Sequence, residues 1–235
     1  MRKVFFVTDE REENFPKDIT EFVSRCIDIE KTLPAQKNNF IFVEEIFRFF
    51  QDCGLITKAN IDLLTDEKFC RNLCGFETNS IIKLVQNKRY LHELKPKNYY
   101  PDTIVECQKK WYYITKEWYH QVANEKFPKD GKQNKREFYE WTICQVWKKF
   151  ETKHSDQQIL DDISNFVENH QVDLRVKYLS DFFSSLAKKI EQNGLNDLST
   201  KKAVSFYRLA ITLNKKETFR KNIPNIVRLT KGILT

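Results

Sequence analysis

Residues 109–120 read KKWYYITKEWYH, five aromatic rings and three lysines against a single carboxylate, Glu117. Aromatic and β-branched side chains at this density favour an extended chain. The segment just before it, TIVEC from Thr103 to Cys107, has the same character. The two stretches therefore read as the arms of a hairpin whose turn lies at Gln108 to Lys110. That turn lacks the Asn-Gly or Asp-Gly pair of the commonest tight hairpins. Strand alternation sets Trp111, Tyr113, Thr115 and Glu117 on one face and Tyr112, Ile114, Lys116 and Trp118 on the other. The faces differ little in polarity, so each is expected to be at least half covered. Lys109 and Lys110, at the turn, are expected in solvent.

On both sides of this stretch the hydrophobic period changes from two residues to the helical 3.6. FPKDITEFVSRCIDIEKTLP, ending at Pro34, carries Phe22, Val23, Cys26, Ile27 and Leu33 at helical spacing behind a capping box of Asp18 and Glu21. A second helix follows from Asn38 or Asn39, with Val43, Ile46, Phe47 and Phe50 as its stripe and Gly54 at its left-handed end. Three short helices are predicted next, starting at Thr57, near Asp66 and at Thr78. RYLHEL, from Arg89 to Leu94, reads as a strand, and Val4 to Val7 as another. Residues 124–135 are polar and basic, and are expected to be a linker. Beyond it every segment is helical. The predicted stripes are Tyr139, Ile143, Val146, Trp147 and Phe150, then Ile159, Leu160, Ile163, Phe166 and Val167, then Leu179, Phe182, Phe183, Leu186 and Ile190. A fourth helix is expected to be capped by Ser199 or Thr200, and a last one to carry Pro224 near its first turn.

The expected fold is therefore mainly α. A helical module with a small β hairpin or three-stranded wing spans residues 1–123, and a helical bundle with a basic tail spans residues 136–235. A chain of 235 residues with 14% aromatic side chains and only five glycines can bury a substantial core and has few tight turns. No apolar run is long enough to cross a membrane. The apolar run near Met1 is shorter than a signal-peptide core and is followed by acids, so a cytoplasmic protein is expected.

Charge is distributed unevenly. Residues 1–80 carry net −4, residues 81–153 net +7 and residues 154–235 net +4, for a total of +7. From Ser199 to Thr235, nine Lys or Arg face only Glu217. A chain acidic in front and basic behind is polarised toward an anionic partner.

Motifs for catalysis are sparse. His92, His120, His154 and His170 lie in no metal-binding spacing, and no glycine-rich phosphate loop or nucleophile elbow occurs. Cys70 and Cys74 are one helical turn apart, but no nearby Cys or His completes a tetrahedral set, so two buried thiols are expected rather than zinc. Asp161 and Asp162 diverge by about 100° on a helix. Asp102 and Glu106, with Gln108 where a nuclease of the PD…(D/E)xK type has Lys, form a weak match at short spacing, which keeps a metal-dependent nuclease as a lesser alternative. No catalytic residue, metal ligand or cofactor is assigned.

The order of FVEEIFRFFQDCGLI, LLTDEKFCRNLCGF, KRYLHEL and WYYITKEWY resembles the winged helix-turn-helix modules of bacterial restriction and defence proteins, over about residues 40–120. The resemblance implies duplex binding, with one helix in the major groove and the hairpin on the backbone. The expected nucleic-acid contacts are Lys68, Arg71 and Asn72 on one helix and Lys83 on the next. Around the hairpin they are Lys88, Arg89, Lys109, Lys110 and Lys116. The basic tail adds Lys201, Lys202, Arg208, Lys215, Lys216, Arg220 and Lys221. Duplex DNA is favoured over RNA, and a protein-binding adaptor or inhibitor with an aromatic-rich surface is the alternative.

Overall fold

The computed structural model describes residues 3–6, 14–33, 39–74, 80–86, 99–115, 131–169, 176–214 and 217–233. Side chains are described over 14–33, 41–73, 80–86, 104–115, 135–169, 176–214 and 221–232. The protein is mainly helical: N-terminal helices and a small sheet are followed by a helical bundle. The described elements are β1 (Lys3–Phe6), α1 (Ile19–Thr32), α2 (Asn39–Asp52), α3 (Lys58–Thr65), α4 (Glu67–Cys74), β2 (Ile82–Leu84), β3 (Tyr99–Cys107) and β4 (Lys110–Thr115). After them come α5 (Gly131–Lys153), α6 (Asp156–Asn169), α7 (Lys177–Gln192), α8 (Asp197–Leu213) and α9 (Glu217–Ile233). The chain forms two compact units, residues 1–15 with 31–146, and residues 16–30 with 147–235.

In the first unit, α2 buries Phe42, Val43, Ile46, Phe47 and Phe50. It ends as its sequence predicts. Gly54 takes φ 61°, its N–H donates to Gln51 O, and the Leu55 N–H reaches Phe50 O at 2.8 Å. This pair of bonds is a Schellman motif, and only glycine holds that φ without strain. Phe47 and Phe50 meet Phe138 of α5, and Trp141 stacks beside Phe138. Thr57 caps α3 through the Asn60 N–H, and Asp66 then both ends α3 and accepts from the Lys68 and Phe69 N–H groups at the start of α4.

The sheet has the order β1-β3-β4-β2. β3 and β4 are the predicted hairpin, and β2 lies antiparallel to β4, with Ile82 opposite Ile114 and Leu84 opposite Tyr112. β1 adds a parallel edge to β3. The helix predicted from Thr78 is thus corrected: residues 82–84 are strand. Two adjacent isoleucines suit a pleated, half-buried position as well as a helix, and the neighbouring hairpin offers an edge. The strand predicted at Arg89 to Leu94 lies outside the described residues. Residues 131–135, expected within a linker, already belong to α5.

In the second unit, Trp147 is surrounded by the rings of Phe22, Phe150, Phe182, Phe183 and Phe206. α8 is the central helix of the bundle and buries Ala203, Phe206, Tyr207, Leu209, Ala210 and Leu213. It begins earlier than predicted, because Asn196, with Ser199 bonding back to it, forms the capping box. Pro224 falls inside α9, not in its first turn. Ser155 and Gln158 box the start of α6.

The start of α7 has no cap from its own segment, since Val176 offers none. Glu30 of α1 supplies it: buried at 8% exposure, its two carboxylate oxygens accept from the Tyr178 and Leu179 N–H groups at 3.0 and 3.1 Å. A helix N-terminus favours an anion there. Replacing Glu30 by Ala strands these two donors and is expected to cost about 2–3 kcal/mol, whereas Glu30→Gln, which keeps one oxygen, loses less. Urea unfolding of the two variants checks the ranking.

Candidate nucleic-acid interface

The hairpin turn is the sharpest local feature of the first unit. Cys107 pairs with Lys110, leaving Gln108 and Lys109 as a two-residue loop. Both have positive φ, 50° and 62°. Two left-handed residues define the primed turn whose twist matches the strands, and Asn-Gly is its preferred pair. A side chain in this region costs about 1–2 kcal/mol, so the turn is held against local preference. Gln108, Lys109 and Lys110 are all exposed.

Lys68, Arg71 and Asn72 are exposed on α4, and their i, i+3 and i+4 spacing puts them on one face. The opposite side of α4 is anchored. Cys70 is fully buried, its thiol lies 3.4 Å from Leu64 O, and the Ile81 N–H donates to its sulfur at 3.4 Å. Burial pushes the Cys70 thiol up to about 11. The Cys74 side chain lies outside the described residues.

The hairpin turn, with Lys109 and Lys110, lies at one end of β4. The Thr115 end is fixed to Ser80 and Ile81: the Thr115 hydroxyl donates to Ser80 O at 2.8 Å and its N–H to Ile81 O at 3.0 Å. Ile81 in turn touches Cys70 of α4. Lys110 lies five residues back along β4, about 17 Å at the rise of a strand. Among the described residues, none of Lys68, Arg71, Lys109 and Lys110 makes an ion pair. Lys83 is half-buried on β2, opposite Tyr113.

A groove of about 720 Å³ runs beside β2 and β4. Thr65 and Glu67 line it from the α3–α4 junction, Ser80 and Ile82 to Gln86 from the β2 segment, and Tyr112 and Tyr113 from β4. Tyr112 is buried with Ile114, while Trp111 and Tyr113 are half-buried on the other face. Burial raises the Tyr112 phenol above its ordinary value, with Cys107 and Asp62 adding to the effect and Lys58 opposing it. Sequence reasoning did not find this groove, because it depends on β2 being a strand.

In the second unit the basic tail is partly neutralised. Lys202 is bonded to Asp156, and Arg228 to Glu191 at 3.0 Å. Lys201, Arg208 and Lys221 are exposed. The side chains of Lys88, Arg89, Lys116, Lys215, Lys216 and Arg220 lie outside the described residues, as does that of Asp102 in the weak nuclease match. Glu106 of that match is half-buried on β3, facing Trp111 in register. No helix among the described residues is long and apolar enough to cross a membrane. No known protein family matches the chain, and no curated protein or solved structure is significantly similar to it.

The turn itself is open to test. Gln108→Asn places a residue that tolerates the left-handed region at the first loop position without altering charge. It is expected to raise the stability of the first unit by about 0.5–1 kcal/mol, read as a higher denaturant midpoint at unchanged slope.

Proposed function

We propose that the protein binds nucleic acid, duplex DNA in preference to RNA, as a non-catalytic component of a cytoplasmic regulatory, defence or counter-defence system. The observation that carries this reading is a pair of exposed cationic clusters, Lys68 and Arg71 on α4 and Lys109 and Lys110 at the hairpin turn, none of them in an ion pair among the described residues. A turn that holds Lys109 at φ 62° spends stability to keep a cation at its tip. The resemblance of residues 40–120 to winged helix-turn-helix modules agrees with this placement, and so does the net +7 of residues 81–153. Asn72, beside Arg71, adds a group able to read a base edge. Lys201, Arg208 and Lys221 of the second unit are additional phosphate contacts in this reading.

The protein-adaptor alternative needs exposed rings. Among the described residues no aromatic side chain is mostly exposed, and the exposed large hydrophobic residues are Ile41, Leu63, Leu84, Leu195, Leu198 and Val227.

Phosphate contacts weaken with salt by about 0.9 in log K per log [salt] for each charge neutralised. Lys109→Ala with Lys110→Ala is expected to weaken binding to every duplex alike and to lower the salt slope by up to about two units. Lys68→Ala with Arg71→Ala should lower it similarly. Fluorescence anisotropy at several salt concentrations reads both. An unchanged affinity and slope in both double variants would overturn the interface.

A further inference from the structure

The groove beside β2 follows the edge of the sheet. β2 is an end strand, with β4 on one side and no strand on the other among the described residues. Five consecutive residues, Ile82 to Gln86, line the groove, although side chains alternate between the two faces of a strand. Tyr112 and Tyr113, on opposite faces of β4, line it too. A groove that meets both faces in this way runs along the strand edge and presents main chain. Thr65 and Glu67, at the α3–α4 junction, form its other wall. The Thr115 N–H donates to Ile81 O, and the Val85 N–H to Trp111 O. Bonding to β4 therefore falls on the odd-numbered residues, and the N–H and C=O groups of Ile82 and Leu84 point away from β4. Among the described residues these groups have no hydrogen-bond partner.

We infer that an extended segment of a partner protein adds to β2 as a further strand, lying between β2 and the α3–α4 junction. Its main chain bonds to Ile82 and Leu84, and an exposed strand edge selects a main-chain partner of this kind. The side chains define what the segment carries. Ile82, Ile114 and Tyr112 share one face of the sheet and are buried, whereas Leu84, on the same face, is 46% exposed. That apolar face is left open at the edge, and an apolar side chain of the added strand covers Leu84. Lys83 and Glu67 offset one another in the lining, so the groove selects backbone and an apolar residue rather than charge. Residues 82–86 span about 17 Å at the rise of a strand, enough for a segment of similar length. A second copy of this chain is a poorer occupant. The pairing of two copies that uses both Ile82 and Leu84 sets Lys83 opposite Lys83, and like charges directly opposed are destabilising. The site uses neither cationic cluster and is independent of the nucleic-acid reading.

The test selects binders of the full chain from a displayed library of random twelve-residue peptides and maps the best one, made synthetically, by amide hydrogen exchange. The selected peptides are expected to carry apolar residues at alternate positions, and binding is expected to slow exchange of the Ile82 and Leu84 amides. Only alternate amides of an added strand face β2. Methylating every second backbone nitrogen of the peptide should therefore abolish binding in one phase and spare it in the other. Leu84→Pro removes one outward N–H but no bond to β4, a change that an edge strand tolerates. It should weaken binding by up to about tenfold, the worth of one main-chain bond, while circular dichroism stays that of the wild type. Failure to enrich any peptide, protection confined to residues outside 82–86, or binding that survives methylation in both phases overturns the inference. A concentration-dependent dimer that Leu84→Pro abolishes makes the occupant a second copy and overturns it as well.

Discussion

Both cores are built on aromatic rings carried by one helix. α5 presents Phe138 and Trp141 to the first unit, where they meet Phe47, Phe50 and Phe69, and Trp147 and Phe150 to the second, where they meet Phe22, Phe183 and Phe206. Aromatic pairs in edge-on and offset-stacked arrangements add to the stabilisation that burial already provides. The residues they need recur every three or four positions: Tyr139, Ile143, Val146, Trp147 and Phe150 are all buried at 2% exposure or less. Even Lys135, near the start of α5, is buried, with its ammonium 5.8 Å from the centre of the Phe42 ring. The cationic face of α4 is placed by the first of these cores, because α4 rests on Trp141 through Phe69 and on Ile81, the residue before β2, through Cys70.

That dependence explains which features were legible in the sequence. The α5 stripe, the α2 stripe and its Gly54 stop, and the Thr57 cap are each encoded within a few neighbouring residues, and each is found where it was read. The hairpin was legible for the same reason, from the strand-forming residues of both its arms. The β2 segment was not. Ile81-Ile82 suits a helix or a strand by itself, and the choice is made by the edge of β4, more than twenty-five residues further along. The parallel pairing of β1 with β3 is equally non-local.

The candidate site divides along the same line. Lys68, Arg71, Lys109 and Lys110 could be picked out because exposed cations at a helix face and a turn are local features. Lys202 was picked out too, but its partner Asp156 lies on another helix, and no short-range pattern announces that pair. The groove requires the α3–α4 junction, β2 and β4 together, so nothing in any one of those segments reveals it. Glu30, whose carboxylate caps α7 from the distant α1, is the structural counterpart of that limit.

The proposed function requires α4 and the hairpin turn to form one nucleic-acid surface. Its most direct test is a titration of the isotopically labelled protein with a short DNA duplex, followed by amide NMR. Shifts concentrated at residues 67–72 and 107–111 are expected, growing together with a single binding constant and fading together as salt is raised. Shifts confined to other surfaces, or none at those two segments while the duplex binds, would contradict it.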